Sequence, residues 1–280
     1  MKLMMFSKHL QSLSLAEAGK AVRELGFEGL DLTVRPGGFI EPQRVAQELT
    51  LKVRMLREIG LEVPLATTAI TRADEPHARE TFEAIHFAGI SEIKLGYVRY
   101  GAFGTLQTTL DQAARDLEQI EALARATGLR ANLHMHSGPY TTSNPAFVHW
   151  LIKDRDPAAI GAYVDPGHMT VEGGRDGWRS GLDLLGPRIT LVAIKDMAWD
   201  SREDEKLGKT RWDMKMVPLR RGIVRWPDVF ACLRHLDFTG WISVHSEYTG
   251  GQSWRDLTVP ELLEQTREDL AYLREVMRRL

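Results

Sequence analysis

Gly26-Phe27-Glu28-Gly29-Leu30-Asp31-Leu32 joins the end of a helix-like segment to an apolar run of strand character. A glycine just past a helix C-terminus takes the left-handed conformation without a Cβ penalty, so the stretch reads as a helix-to-strand joint. The joint recurs. Gly60 precedes Leu61-Glu62-Val63-Pro64-Leu65, Gly89 precedes a run over 90–95, and Gly128 precedes one over 129–133. Between them lies helical spacing, as in Leu110, Ala113, Ala114, Leu117, Ile120, Leu123 and Ala124. Further strand-like runs at 3–7, 160–164, 189–194 and 241–244 bring the strands to eight, and a last helix is predicted over 260–280. Their spacing of roughly 30 residues is that of a βα unit. Eight strands alternating with helices, with no composition break, predict an α/β fold: one (β/α)8 barrel spanning residues 1–280. A doubly wound open sheet is the alternative that pattern alone leaves.

Composition narrows the function. Against 38 Asp and Glu stand 36 Lys and Arg, a net charge of −2, with 43% hydrophobic and 26% charged residues. Those values suit a globular chain and exclude disordered, collagen-like and coiled-coil classes. Without a basic cluster, no nucleic-acid partner is expected. The lone cysteine, Cys232, cannot form an internal disulfide and reads as a small core residue of a helix. The start of the chain is too short in apolar residues for a signal peptide, and no run approaches a membrane span of about 20 residues. A cytoplasmic protein without a membrane partner is expected.

Side chains two apart along a strand share a face. If the apolar set packs under the helices, the other set faces the barrel axis, and towards the C-terminal strand ends it is polar. It comprises Ser7 and His9; Asp31, Thr33 and Arg35; Lys94; Asn132, His134 and His136; Tyr163 and Asp165; Lys195; and Ser243, His245 and Glu247. Barrel interiors are normally filled by branched apolar residues, and buried polar groups are costly unless paired. Such clustering predicts an active site. The pairs Gly37-Gly38, Gly173-Gly174 and Gly250-Gly251 read as tight turns before anion nests. The segment after the seventh strand, with Arg220-Arg221, is charged and reads as a solvated run, with phosphate binding as the alternative. His77, His149 and His235 read as surface or helix residues without a role, and His86 as a helix residue packed near the sheet.

Taken together, Phe6-Ser7-Lys8-His9-Leu10, the joint at 26–32, His136-Ser137-Gly138, Asp165-Pro166-Gly167-His168, Ile194-Lys195-Asp196 and Ile242-Ser243-Val244-His245-Ser246-Glu247-Tyr248 resemble the sugar phosphate isomerase/epimerase family. These are xylose isomerase-like TIM barrels, whose relatives include ketose 3-epimerases, inosose dehydratase and endonuclease IV. The resemblance covers nearly the whole chain. It implies a divalent ion, often Mn, on Glu, Asp, His and Glu from strands five to eight, with both glutamates also shuttling a proton. On this chain those positions fall on His134, Asp165, Ala193 and His245. One ligand of the four is unchanged, which marks a divergent branch.

The residues present still offer chemistry. His134, Asp165 and His245 would make a 2-His-1-carboxylate set suited to Mn, Zn or Fe, with His168 or His136 as a further ligand or support. The alternative is a metal-free polar pocket. His134, His245, Glu247 and Lys195 are the candidates for proton transfer, since imidazole titrates near neutrality. His9, Arg35, Lys94, His136, Trp199 and Arg220 are the candidates for substrate binding; Arg35 either receives an anion or pairs with Asp31. The expected activity is isomerisation or epimerisation of a small sugar, keto-sugar or polyol, with or without phosphate, by proton abstraction next to a carbonyl. A lyase or dehydratase using the same enolate is the alternative, and a non-catalytic sugar-binding barrel a third reading. A homo-oligomer is compatible with the sequence.

Overall fold

The computed structural model describes residues 1–206 and 208–279. Seven strands come first: β1 (Lys2–Phe6), β2 (Gly29–Thr33), β3 (Glu62–Thr67), β4 (Glu92–Lys94), β5 (Arg130–His134), β6 (Ile160–Val164) and β7 (Ile189–Ile194). An antiparallel hairpin follows, β8 (Asp196–Asp204) and β9 (Lys209–Val217), and then β10 (Trp241–Val244). All but the hairpin strands run parallel and close into a barrel in the order β1-β10-β7-β6-β5-β4-β3-β2. Closure is made where β1 pairs with β10, Leu3 opposite Ile242 and Met5 opposite Val244. The closed barrel excludes the open sheet.

The joints form as their chemistry requires. Helix α1 (Leu15–Leu25) opens with a capping box between Ser14 and Glu17 and ends on Gly26 at φ 89°. Gly60, Gly89 and Gly128 also have positive φ. Leu15, Ala18, Val22 and Leu25 are buried on one face of α1, each large apolar side chain contributing about 1.5–3 kcal/mol. Helices α2 (Val45–Glu58), α3 (Ala78–Phe87), α4 (Leu106–Thr127), α5 (Pro145–Ile152), α6 (Pro166–Gly173), α7 (Gly177–Leu185), α8 (Trp226–His235) and α9 (Val259–Arg278) complete the set. Leu280, the predicted end of the last helix, lies outside the described residues. One apolar layer lies between sheet and helices. A second, of Met4, Leu65, Tyr163, Leu191 and Ala193, plugs the barrel and floors the site above it.

The structure corrects several local expectations. The charged segment after β7 is the β8–β9 hairpin, whose outer part is exposed on both faces. Ser7 and His9 stand on a 3-10 turn, Ser7–Leu10, rather than on β1. His86 is exposed beside Phe87, and Cys232 is half-buried in α8. The Gly37 and Gly250 amides donate to Glu41 and Asp256 within their own loops, which are turns. Among the described residues no helix is long and apolar enough to cross a membrane.

The hairpin returns to the barrel through Asp196. Its carboxylate accepts from the Met197 and Val224 amides at 2.8 and 3.1 Å and from the Trp226 indole at 2.8 Å. A Cβ on Gly222 would lie 1.8 Å from the Asp196 carboxyl carbon. Gly222→Ala is therefore expected to destabilise the fold by about 1–3 kcal/mol in a denaturant titration, the usual cost of overpacking.

Candidate active site

The C-terminal strand ends bring a polar cluster together over the Tyr163 floor. Lys94 ends β4, His134 ends β5, Asp165 follows β6, Lys195 follows β7 and His245 follows β10. Lys94, His134, Lys195 and His245 line one cavity with Phe6, Lys8, Arg35, Thr67, Tyr97, His136, Tyr163 and Glu247, and Asp165 adjoins it through Lys195 and His134. A groove between α7 and α8, near Cys232 and His235, is lined by no buried charged residue.

Lys195 is the centre of the arrangement. It is 2% exposed, and its Nζ lies 3.5 Å from Asp165 Oδ2 and 3.6 Å from Glu247 Oε1. Burial pushes the Glu247 carboxyl up, but the ammonium of Lys195 and the neighbouring His245 outweigh it and hold the group well below the usual carboxylate range. Lys8 adds an ion pair to Glu247 at 3.4 Å from the rim.

The imidazoles ring this pair of acids. His134 Nδ1 meets the Tyr97 hydroxyl at 2.7 Å, and its Nε2 faces Asp165 Oδ2 at 3.5 Å. His168 Nδ1 meets Ser137 Oγ at 2.7 Å, its Nε2 facing the same oxygen at 3.8 Å. His245 Nε2 meets the Tyr163 hydroxyl at 2.9 Å, and its Nδ1 faces Glu247 Oε1 at 3.6 Å. With the tyrosine hydroxyls accepting from the rings, Tyr163 turning its own hydrogen towards Asp31 at 3.5 Å, the nitrogens of His134 and His245 that face the carboxylates keep their lone pairs and can take a proton. His134 Nε2, His168 Nε2, His245 Nδ1 and Asp165 Oδ2 are buried without a hydrogen-bond partner among the described residues. Buried polar atoms are normally satisfied, so four such atoms facing one small space mark a ligand-binding centre. Burial, then the charges of His245 and Lys195, holds His134 well below its ordinary pKa; burial and Lys195 do the same for His168.

The remaining sequence candidates divide. Arg35, Lys94 and His136 line the cavity; His136 stacks on His168 at 3.9 Å, and burial lowers its pKa to about 4. His9 sits at the edge, its Nδ1 held by Thr249 at 2.5 Å and its pKa pushed down to about 4 by burial. Trp199 and Arg220 do not join the site. Trp199 is 49% exposed on β8, paired with Met214 of β9. Arg220 pairs with Glu275 at 2.6 Å and lies over the Tyr272 ring, so it is tied to α9. Arg221, over the Trp254 ring, does not join the cavity lining either. Sequence reasoning passed over Tyr97, Lys8 and Thr67. Tyr97 lies three residues past Lys94, and Lys8 sits within the quoted Phe6-Ser7-Lys8-His9 motif, but neither follows strand parity.

The donor set does not fit a resident divalent ion. Among the described residues no three His, Cys, Asp or Glu side chains are placed to hold one. The position implied for the metal-binding histidine is Ala193, and the Tyr163 ring packs against that methyl and takes His245 Nε2 with its hydroxyl. The Lys195 cation lies 3.5 Å from Asp165, the one carboxylate of the expected set. The expected set of His134, Asp165, His245 and His168 is not drawn together as three donors around one point among the described residues.

Fold and site together define a barrel with a charged, strand-end pocket of the kind enzymes place there. The family model described as xylose isomerase-like TIM barrel matches residues 20–276, and the chain belongs to that family. Among solved structures it is similar to D-psicose 3-epimerase with D-tagatose from Clostridium cellulolyticum H10, 13% identical over 99% of each chain with a TM-score of 0.75. A probable 3-DHS dehydratase of petrobactin synthesis from Bacillus anthracis is 15% identical over 97% of this chain and 99% of its own, TM-score 0.70. A xylose isomerase-like protein from Mycobacterium smegmatis in complex with magnesium is 16% identical over 99% and 96%, TM-score 0.66. No curated protein matches the sequence.

Proposed function

We propose that this chain is an isomerase or epimerase of a small keto-sugar, moving a proton on the carbon next to the carbonyl with Lys195 where relatives are expected to use a metal. The observation that carries the reading is the buried ammonium set 3.5 and 3.6 Å from two carboxylates, beneath imidazoles that present unpartnered nitrogens. A fixed cation in a dry site stabilises the oxyanion that develops when a carbonyl enolises. His134 and His245, ring centroids 5.6 Å apart, come from strands three apart around the barrel and suit removal of the proton by one and its return by the other. Glu247 and Asp165 hold Lys195 in place and aim it. Tyr97 and Tyr163 fix the two rings.

Dehydration is the second reading. It is favoured by the probable dehydratase among the similar structures. Both readings share the enolate.

The test is exchange of substrate C–H for solvent deuterium, followed by NMR across ketoses and keto-sugar acids. Exchange is expected with the parent and is expected to fall by about a hundredfold or more in His134→Ala and His245→Ala. Exchange that survives the loss of His134, His245 and Glu247 one at a time would sink the proposal. Tyr97→Phe, which leaves His134 Nδ1 without its hydrogen-bond partner, is expected to slow exchange by about tenfold with the melting temperature little changed, because one positioning hydrogen bond contributes about 1 kcal/mol.

A further inference from the structure

Four cations surround the cavity, and two of them have no ion-pair partner among the described residues. Lys8 pairs with Glu247, and Lys195 with Asp165 and Glu247. The side chains of Arg35 and Lys94 make no hydrogen bond or ion pair with a described residue. Lys94 is 2% exposed, its Nζ 3.7 Å from the centre of the Tyr97 ring, and the Arg35 guanidinium lies 5.7 Å from the Phe6 ring. The nearest acid, Asp31, is already spent. It accepts from Thr67 at 2.5 Å and Ser243 at 2.9 Å, and burial raises its pKa.

An ammonium and a guanidinium side by side at a pocket wall, each resting only on an aromatic face, are costly in a protein that binds only neutral ligands. We propose that Arg35 and Lys94 form the seat for an anionic group of the substrate, a carboxylate or a phosphate, so that the sugar turned over at Lys195 is an acidic one. The inference rests on the proposed sugar chemistry for the rest of the ligand only. Guanidinium forks match both anions, and the ammonium adds a point charge from the other side. Burial, then repulsion from Arg35, brings Lys94 down to about 7. The charged groups acting on it are Arg35 and Asp31 from β2, Lys195 after β7 and Lys8 after β1, with the Tyr97 ring after β4. An anion beside Lys94 favours its charged form, so binding at pH 8 should take up a proton.

Calorimetric titration of the full chain with D-fructose, D-fructuronate, D-fructose 6-phosphate, malonate and inorganic phosphate, at pH 8 in two buffers of different ionisation enthalpy, tests this. At least one acidic sugar is expected to bind about tenfold or more tightly than D-fructose, with proton uptake, and to lose that advantage in Arg35→Gln and Lys94→Gln. The preferred sugar tells carboxylate from phosphate. Circular dichroism checks that the variants fold, and Arg35→Lys, which keeps the charge, should retain part of the affinity. Binding of malonate or phosphate that both variants lose, with no sugar bound, keeps the anion seat and overturns the sugar reading instead. Equal affinity for charged and neutral sugars, unchanged affinity in folded variants, or no binding of any probe overturns the proposal.

Discussion

Lys195→Met is expected to lower proton exchange on a turned-over substrate by about a thousandfold, and added Mn or Zn is not expected to restore it. The ammonium is the one cation within ion-pair distance of both Asp165 and Glu247 among the described residues. The same change alters stability with a definite sign. In the parent, Glu247 titrates below its unfolded value, so its contribution is present above the unfolded carboxylate pKa and is lost as pH falls through the folded one. Without Lys195, burial is left to push that pKa up, and Asp165 also loses its partner. Removing one member of a buried pair costs about 3–5 kcal/mol. The variant should therefore melt lower than the parent at pH 7 and recover part of the gap as pH falls and Glu247 protonates. Exchange measured at a pH where both proteins are folded separates the catalytic loss from the structural one. Lys195→Met exchange within tenfold of the parent would remove Lys195 from the chemistry.

Lys94→Met should act in the opposite direction on stability. Lys94 is buried without an anion, and its pKa of about 7 against 10.5 in the open chain means that the fold disfavours its proton. A lysine lowered on folding destabilises fully below the folded pKa, and the penalty fades as pH rises from about 7 to 10.5. The shift corresponds to about 5 kcal/mol at its limit, from which the lost contact with the Tyr97 ring must be taken. A gain of roughly 3 kcal/mol is expected in denaturant unfolding at pH 6, shrinking towards zero by pH 10. A parent protein that holds an unpaired cation at such a cost holds it for a ligand. Should Lys94→Met destabilise the fold at pH 6, Lys94 is a structural residue.

The barrel was legible because each joint carries its own signal. Gly26, Gly60, Gly89 and Gly128 all stand at positive φ before an apolar run, as local chemistry requires. The β8–β9 hairpin was not legible. Residues such as Asp200, Arg202, Asp213 and Lys215 are held by strand pairing with solvent on both sides, so no apolar alternation marks them. Strand parity placed Lys94, His134, Asp165, Lys195 and His245 at the barrel end, since alternation fixes direction once the apolar face is known. Parity does not say what a side chain meets. That Tyr163 would fill the space beside Ala193 and turn His245 from a ligand into a hydrogen-bond partner depends on packing between β6, β7 and β10. Nor does it reach into loops. Tyr97 enters from a segment without regular structure, while Trp199 and Arg220 are carried away by β9 and α9.

Elemental analysis of the purified, unchelated protein, after growth with added Mn and Zn, tests most directly whether Lys195 stands where relatives are expected to place a metal. The account predicts well under one equivalent of Mn, Zn or Fe, unchanged in His134→Ala and His245→Ala. Close to one equivalent in the parent, lost in both variants, would contradict it and return His134, Asp165 and His245 to the role of metal ligands.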